Sequence, residues 1–74
     1  MVNAIVTVPD KERLMAMPTE DIDMNTMVGR KAKYVDKNGK EWHGVVIDVA
    51  DQMAVIKFDQ FPSGLGQGQI VEIE

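Results

Sequence analysis

An Asn-Gly pair between two alternating runs is the strongest folding signal in this chain. Residues 31–35 and 41–49 alternate in polarity, and Asn38-Gly39 lies between them. Such alternation predicts half-buried strands, and Asn-Gly between two of them predicts a tight hairpin. In the second strand, one face is expected to hold Trp42, Gly44, Val46 and Asp48, and the other His43, Val45, Ile47 and Val49.

Three further segments have strand-like composition and are bounded by turn residues. Residues 4–8 end at Pro9, residues 53–58 follow a short turn, and residues 69–73 follow a loop rich in glycine. Short strands at regular spacing predict a small barrel or sandwich. Glycine inside a strand, as at Gly44, indicates the bend or close approach that barrel closure needs. We therefore expect a mostly β fold, an SH3-like barrel of about five to six strands.

The N-terminal part of the chain has a different character. Residues 10–17 are expected to form about two helical turns or an irregular segment. Pro9 suits a helix start, and Pro18 disfavours helix in the residue before it. Residues 19–25 are expected to form an acidic connector or a second short turn. The chain is expected to form one domain, residues 1–74, with a strand and connector over 1–28 and the barrel core over 29–74.

Length and composition narrow the classes of function. A chain of 74 residues is near the lower limit for a self-sufficient core and rarely encloses a deep pocket. It has no cysteine, which excludes disulfides, thiolate metal sites and thiol catalysis. No segment reaches membrane-spanning length. We expect no catalytic residue, cofactor, metal or membrane partner, and a cytoplasmic location.

Charge is unevenly distributed along the chain. The formal net charge of −4 argues against strong nonspecific binding to nucleic acid. Residues 30–40 nevertheless hold five bases and one acid. The bases form a candidate footprint for RNA, or else are solvated lysines that protect a strand from aggregation. They are Arg30, Lys31, Lys33, Lys37 and Lys40.

Two family resemblances rest on the glycines of the hairpin. Val28-Gly29, Val35, Asn38-Gly39 and the segment Gly44-Val45-Val46-Ile47-Asp48 resemble the opening hairpin of PRC-barrel domains, over residues 27–59. This resemblance implies a small β-barrel used in assembly, as in the reaction-centre H subunit or the ribosome maturation factor family, and no catalysis. The C-terminal half departs from the family pattern. Gly44-Val45-Val46 is also similar to KOW-type modules of ribosomal and transcription proteins, although the usual basic run before that glycine is missing.

Three apolar residues are the predicted protein contacts. Aromatic anchors dominate binding energy at interfaces, and loops on rigid barrels carry recognition. These considerations select Trp42, Phe61 and Leu65, the last two as contacts or as anchors of their own loop.

Methionine and histidine provide two weaker signals. Met15, Met17, Met24 and Met27 either fill an open end of the barrel or form an adaptable docking surface. His43 is the one histidine, and it lacks the positioned partner that acid–base chemistry needs.

The function expected from the sequence is a non-catalytic interaction or assembly module that binds another protein or a ribonucleoprotein complex. One alternative is a KOW-like module that contacts RNA. Another is a small non-catalytic subunit of a multi-chain enzyme. Self-association is a further option, because pairing would supplement a small core.

Overall fold

A computed structural model describes residues 1–74 and shows a closed antiparallel barrel of six strands. Around the barrel the strands follow the order β1-β2-β5-β4-β3-β6. Their bounds are β1 Val2–Pro9, β2 Leu14–Pro18, β3 Lys31–Val35, β4 Glu41–Ala50, β5 Met53–Phe58 and β6 Ile70–Ile73. The prediction of a mostly β fold and a small barrel is confirmed.

The barrel interior is filled by a single apolar cluster of 14 buried residues. All six strands contribute to it through alternate positions, as half-buried strands do. Tyr34, which alternation places inside, is 5% exposed. Met27 follows the one helix, the 3₁₀ turn Met24–Thr26, and is completely buried in the same cluster. No helix has the length and apolar character needed to cross a membrane.

The helix predicted over residues 10–17 is wrong. Residues 14–18 form β2, which pairs with β1 on one side and β5 on the other. Leu14 and Ala16 point into the core at 1% and 0% exposure. Leucine, methionine and alanine favour helix locally, but such propensities are weak and tertiary pairing overrides them. The barrel thus takes two of its six strands from the first 28 residues.

A β-bulge changes which residues of β4 face the core. The pairing with β5 shifts register between Val46 and Asp48. Because an extra residue reverses the alternation, Val49 packs against the core and Asp48 is exposed. The prediction that Asp48 shares a face with Trp42, Gly44 and Val46, and Val49 with His43, Val45 and Ile47, is therefore wrong at Asp48 and Val49.

Gly44 marks the closest approach of β4 to β5. A Cβ there would lie 2.6 Å from the carbonyl oxygen of Lys57 and 2.9 Å from the Cα of Phe58. Because both contacts are backbone, only glycine fits without moving the strands apart. The close approach predicted for this glycine is confirmed.

Candidate protein-interaction surface

Four exposed apolar side chains form a row across neighbouring strands, which we call the apolar belt. Ile5 pairs directly with Met17 on one side and Ile70 on the other. Val35 lies two residues beyond Lys33↔Glu72, the last formed β3–β6 pair, at the end of β3 that faces Ile70. The belt thus runs through β3, β6, β1 and β2, and its members are 45%, 45%, 40% and 46% exposed: Val35, Ile70, Ile5 and Met17.

The row next to the belt is polar. It crosses β1, β6, β3 and β4 through successive Cα partners, which are Asn3, Glu72, Lys33 and His43. Lys33 Nζ lies 3.7 Å from Glu72 Oε2, and His43 Nε2 lies 3.5 Å from Glu41 Oε1. All four of these paired side chains are at least 30% exposed, so the pairs contribute little to stability. The barrel surface therefore separates into an apolar and a charged stripe.

Arg30 is engaged within the chain. Its Nε donates to the carbonyl oxygen of Thr26 at 2.9 Å, and Nη2 donates to Thr26 Oγ1 at 3.1 Å. Nη1 donates to the carbonyl oxygen of Glu74 at 3.3 Å. The guanidinium thus ties the 3₁₀ turn to the C-terminus and has few donors left for a phosphate.

The four lysines of the candidate RNA footprint do not form an uninterrupted basic patch. Lys33 is paired with Glu72, and Lys40 Nζ sits 4.1 Å from the centroid of the Trp42 ring. Lys31 and Lys37 are exposed and make no ion pair. The cleft beside Lys31 and Lys33 is also lined by three acids, Glu41, Glu72 and Glu74. The local charge is therefore mixed.

Trp42 is held in place by the hairpin turn. Its indole Nε1 donates to Asp36 Oδ2 at 3.1 Å, while Asp36 Oδ1 accepts from the amides of Asn38 and Lys40. The Trp42 hydrogen bond, with help from the two amides and Lys40, lowers the pKa of Asp36. Trp42 packs against the core and carries Lys40 over its ring. The single hydrogen-bond donor of the indole is therefore used to stabilise the hairpin turn.

The other two predicted contacts lie in the loop before β6. Leu65 belongs to the core cluster and is 7% exposed. Phe61 is partly buried and packs against the same cluster. For Leu65, burial favours the anchoring role over the contact role that the sequence left open.

The four methionines of the N-terminal region separate into two groups. Met24 and Met27 lie in or beside the 3₁₀ turn and pack on the core. Met15 and Met17 lie on β2, where Met15 is 8% exposed and Met17 belongs to the apolar belt. They therefore do not form one surface.

Metal-binding clusters are absent from the structure: no group of three or more His, Asp or Glu side chains is placed to hold an ion. His43 is on the outer face of β4, with Glu41 as its neighbour.

A groove opens where β3 and β6 part. It has a volume of about 490 Å³ and lies between residues 34–38 on one wall and Ser63, Gly64 and Gln69 on the other. Val35, the last member of the belt on this side, lines the groove, and Ile70 directly follows Gln69 of the opposite wall.

The belt was not found from the sequence. Its residues are separated by up to 65 positions, and only strand pairing brings them together. One signal was available: the exposed Ile5 lies between the inward Ala4 and Val6, and the exposed Val8 follows, so the outer face of β1 also carries apolar residues. A strand that is apolar on both faces indicates burial on both, and here the outer face is uncovered.

Comparison with protein-family models, curated proteins and solved structures found no match to this chain.

Proposed function

We propose that this chain is a non-catalytic interaction module that binds another protein through the apolar belt. The supporting observation is the row of Val35, Ile70, Ile5 and Met17 on four neighbouring strands, each 40–46% exposed. Single exposed apolar residues are ordinary, whereas contiguous ones mark interaction surfaces. In this proposal the module works in the cytoplasm, and its partner is a protein or a ribonucleoprotein complex.

The free energy gained by burying the belt indicates how tight a complex it can form. Covering the exposed remainder of four such side chains contributes about 3–5 kcal/mol, given about 1.5–3 kcal/mol for a fully buried aliphatic side chain. Association costs about 4–15 kcal/mol in lost freedom. The belt alone is therefore too small for tight binding, and a partner must add polar contacts beside it.

Mixed charge on the outer face favours a protein partner over RNA. Arg30 and Lys33 are engaged within the chain, and three acids line the cleft beside Lys31. An RNA footprint relies on unpaired basic side chains along one surface. The KOW-like alternative therefore rests on Lys31 and Lys37 with the partly engaged Lys40.

The resemblance of residues 27–59 to PRC-barrel domains belongs to the same proposal. It rests on Gly44-Val45-Val46-Ile47-Asp48 and the glycines before it. A small closed barrel is compatible with PRC-type and SH3-like families alike, and in the PRC case it implies an assembly role.

Two matched isoleucine variants test the proposal. Ile5→Thr alters the centre of the belt, and Ile47→Thr makes the same change at a site on β4 outside it, with 40% and 47% exposure in the parent. Partners are captured from the cells of origin, identified by quantitative mass spectrometry, and their affinities measured by calorimetry. We expect Ile5→Thr to weaken binding about fivefold, equivalent to about 1 kcal/mol.

Ile47→Thr is expected to change the affinity less than twofold, about 0.4 kcal/mol. Circular dichroism verifies that both variants keep the barrel. Equal binding by the parent and both variants would contradict the use of the belt.

A further inference from the structure

Strand β3 is paired unequally with its two neighbours. Its ladder with β4 covers five residue pairs, from Lys31↔Val45 to Val35↔Glu41. Its ladder with β6 covers two, Ala32↔Ile73 and Lys33↔Glu72. The barrel is thus closed by a short seam, which ends two residues before β3 does.

The unpaired end of the seam presents backbone groups. The even-numbered residues of β3 and its flanking residues form hydrogen bonds with β4 and its flanking residues. Asp36 N–H donates to the Lys40 carbonyl, and Val46 N–H donates to the Arg30 carbonyl. Odd-numbered residues bond toward β6, as the Lys31 carbonyl does to Glu74 N–H. Val35 therefore directs its amide toward Ile70, but the bond that would extend the ladder is not formed. None of the 14 backbone hydrogen bonds formed outside the helices and strands involves this N–H.

The groove at this point has the dimensions of a ligand site. Its volume of about 490 Å³ falls within the range of about 300–1,000 Å³ that such sites have. One wall is the exposed edge of β3 continuing into the hairpin turn, and the other is formed by Ser63, Gly64 and Gln69. A backbone edge along one wall is the feature that strand addition uses.

Charge in the groove favours an acidic occupant. Asp36 is fully engaged by three donors, two amides and the Trp42 indole. Lys37 lines the same groove and makes no ion pair. Asp36 keeps its negative charge and interacts with the charge of Lys40. Lys37 is therefore the charged group of the groove without an ionic partner, and a carboxylate on the occupant would complement it.

A second copy of the barrel does not fit this site. A stable dimer buries about 800 Å² on each partner, which is about a sixth of the 4628 Å² surface of this chain. The groove lies between a strand and a loop and is lined by eight residues, fewer than the roughly 20–30 residues on each side of a stable interface. An extended chain needs only one free strand edge, which lies about 4.8 Å from the strand that pairs with it.

We propose that the open seam between β3 and β6 binds an extended peptide of a partner protein, with alternating apolar and acidic residues, by pairing it with the edge of β3. The inference rests on the proposed function, because it names the part of a protein partner that this chain takes. Val35 N–H supplies a backbone bond, the Val35 side chain supplies apolar contact next to the exposed Ile70, and Lys37 meets the carboxylate.

The test uses the whole chain, labelled with ¹⁵N, and two synthetic hexapeptides. One alternates valine with glutamate and the other valine with lysine, both with blocked termini. We expect saturable shifts of the Val35 and Ile70 amides with the glutamate peptide, and affinity at least about fivefold weaker with the lysine peptide. Hydrogen exchange at Val35 slows by about tenfold or more at saturation, because a new acceptor meets that amide.

Two substitutions at Val35 distinguish the contribution of its backbone amide to peptide binding from that of its side chain. Val35→Pro removes the amide donor, and Val35→Thr keeps it while adding a hydroxyl to the side chain. We expect the first to abolish peptide binding and the second to weaken it less than about threefold. If Val35→Pro does not fold, hydrogen exchange at the Val35 amide of the parent protein shows whether the peptide pairs with it.

The proposal fails if neither peptide shifts Val35 and Ile70, or if Val35 exchange is unchanged at saturation. That failure would leave the belt standing if Ile5→Thr still weakens a captured partner, so the two proposals are separable. Oligouridine is the third probe. Shifts at Lys31 and Lys37 with this RNA, lost at physiological salt while both peptides are silent, would overturn peptide docking in favour of nucleic acid.

Discussion

The two edges of β3 differ in how firmly they are held. Toward β4, five residue pairs are reinforced at the hairpin by Asp36, which accepts from Trp42 and two backbone amides. Toward β6, two pairs and the 3.7 Å contact between Lys33 and Glu72 close the barrel. Both edges belong to the same five-residue strand, so local sequence does not explain the difference.

The difference shows how a small closed barrel can retain a backbone edge that is free to bind a partner. Closing a sheet removes the free edges on which aggregation begins. A seam that stops short leaves one stretch of backbone free within an otherwise closed barrel, beside the exposed Val35 and Ile70. Elements used for binding come from the less stable parts of a fold, and the seam is such a part.

The largest difference in stability is expected between two proline substitutions, one within the β4–β5 ladder and one at the unpaired end of β3. Val45 pairs with Lys57 within the β4–β5 ladder, whereas Val35 lies beyond the last pair of the β3–β6 ladder. Val45→Pro should lower the free energy of unfolding by about 2–3 kcal/mol, because the Lys57 carbonyl loses its donor. Val35→Pro should lower it by less than about 1 kcal/mol. Urea denaturation measures both, and equal losses would show that the seam is as firmly paired as the β4–β5 ladder.

A smaller loss is expected at the tight contact of β4 with β5. Gly44→Ala places a Cβ against the backbone of Lys57 and Phe58, so the strands must separate at a cost of about 2 kcal/mol. The matched control is Gly66→Ala, where a Cβ meets nothing within 4 Å. Thermal and urea unfolding compare the two. A neutral Gly44→Ala variant would mean that the strands adjust without cost.

The Asp36 brace predicts a pH dependence. The pKa of Asp36 is lowered in the folded state, first by the Trp42 hydrogen bond. Its contribution is therefore complete above the ordinary aspartate pKa, about 3.9, and is lost as pH falls through the lower folded value. In urea titrations from neutral pH downward, the advantage of the parent over Asp36→Asn should shrink in acid. Parallel stability curves for the two proteins would contradict this reading of the hairpin.

The smallest effect concerns the last pair of the seam. Lys33 and Glu72 are 30% and 39% exposed in their side chains, so their coupling should be below about 0.5 kcal/mol. A double-mutant cycle with Lys33→Ala and Glu72→Ala measures it, at low and high salt. A coupling that is larger and insensitive to salt would mean that this ion pair, rather than the backbone, holds the seam.

The hairpin, the mostly β class and the barrel followed from local features of the sequence. Asn38-Gly39 between alternating runs and Gly44 within a strand are signals with a range of a few residues, and such signals are legible without a structure. The candidate site was less accessible. Trp42 was chosen as a contact, but its indole is bonded to Asp36 and its ring carries Lys40. These are local contacts that alternation alone does not reveal.

The remaining features depended on pairing between distant segments. Residues 14–18 have helical composition and became a strand because β1 and β5 offered partners on both sides. Val49 turned inward because a bulge opposite β5 reversed the alternation. The belt and the open seam depend on β6 lying between β1 and β3. Local signals reach a few residues along the chain, whereas strand register is decided by which apolar faces can be buried together.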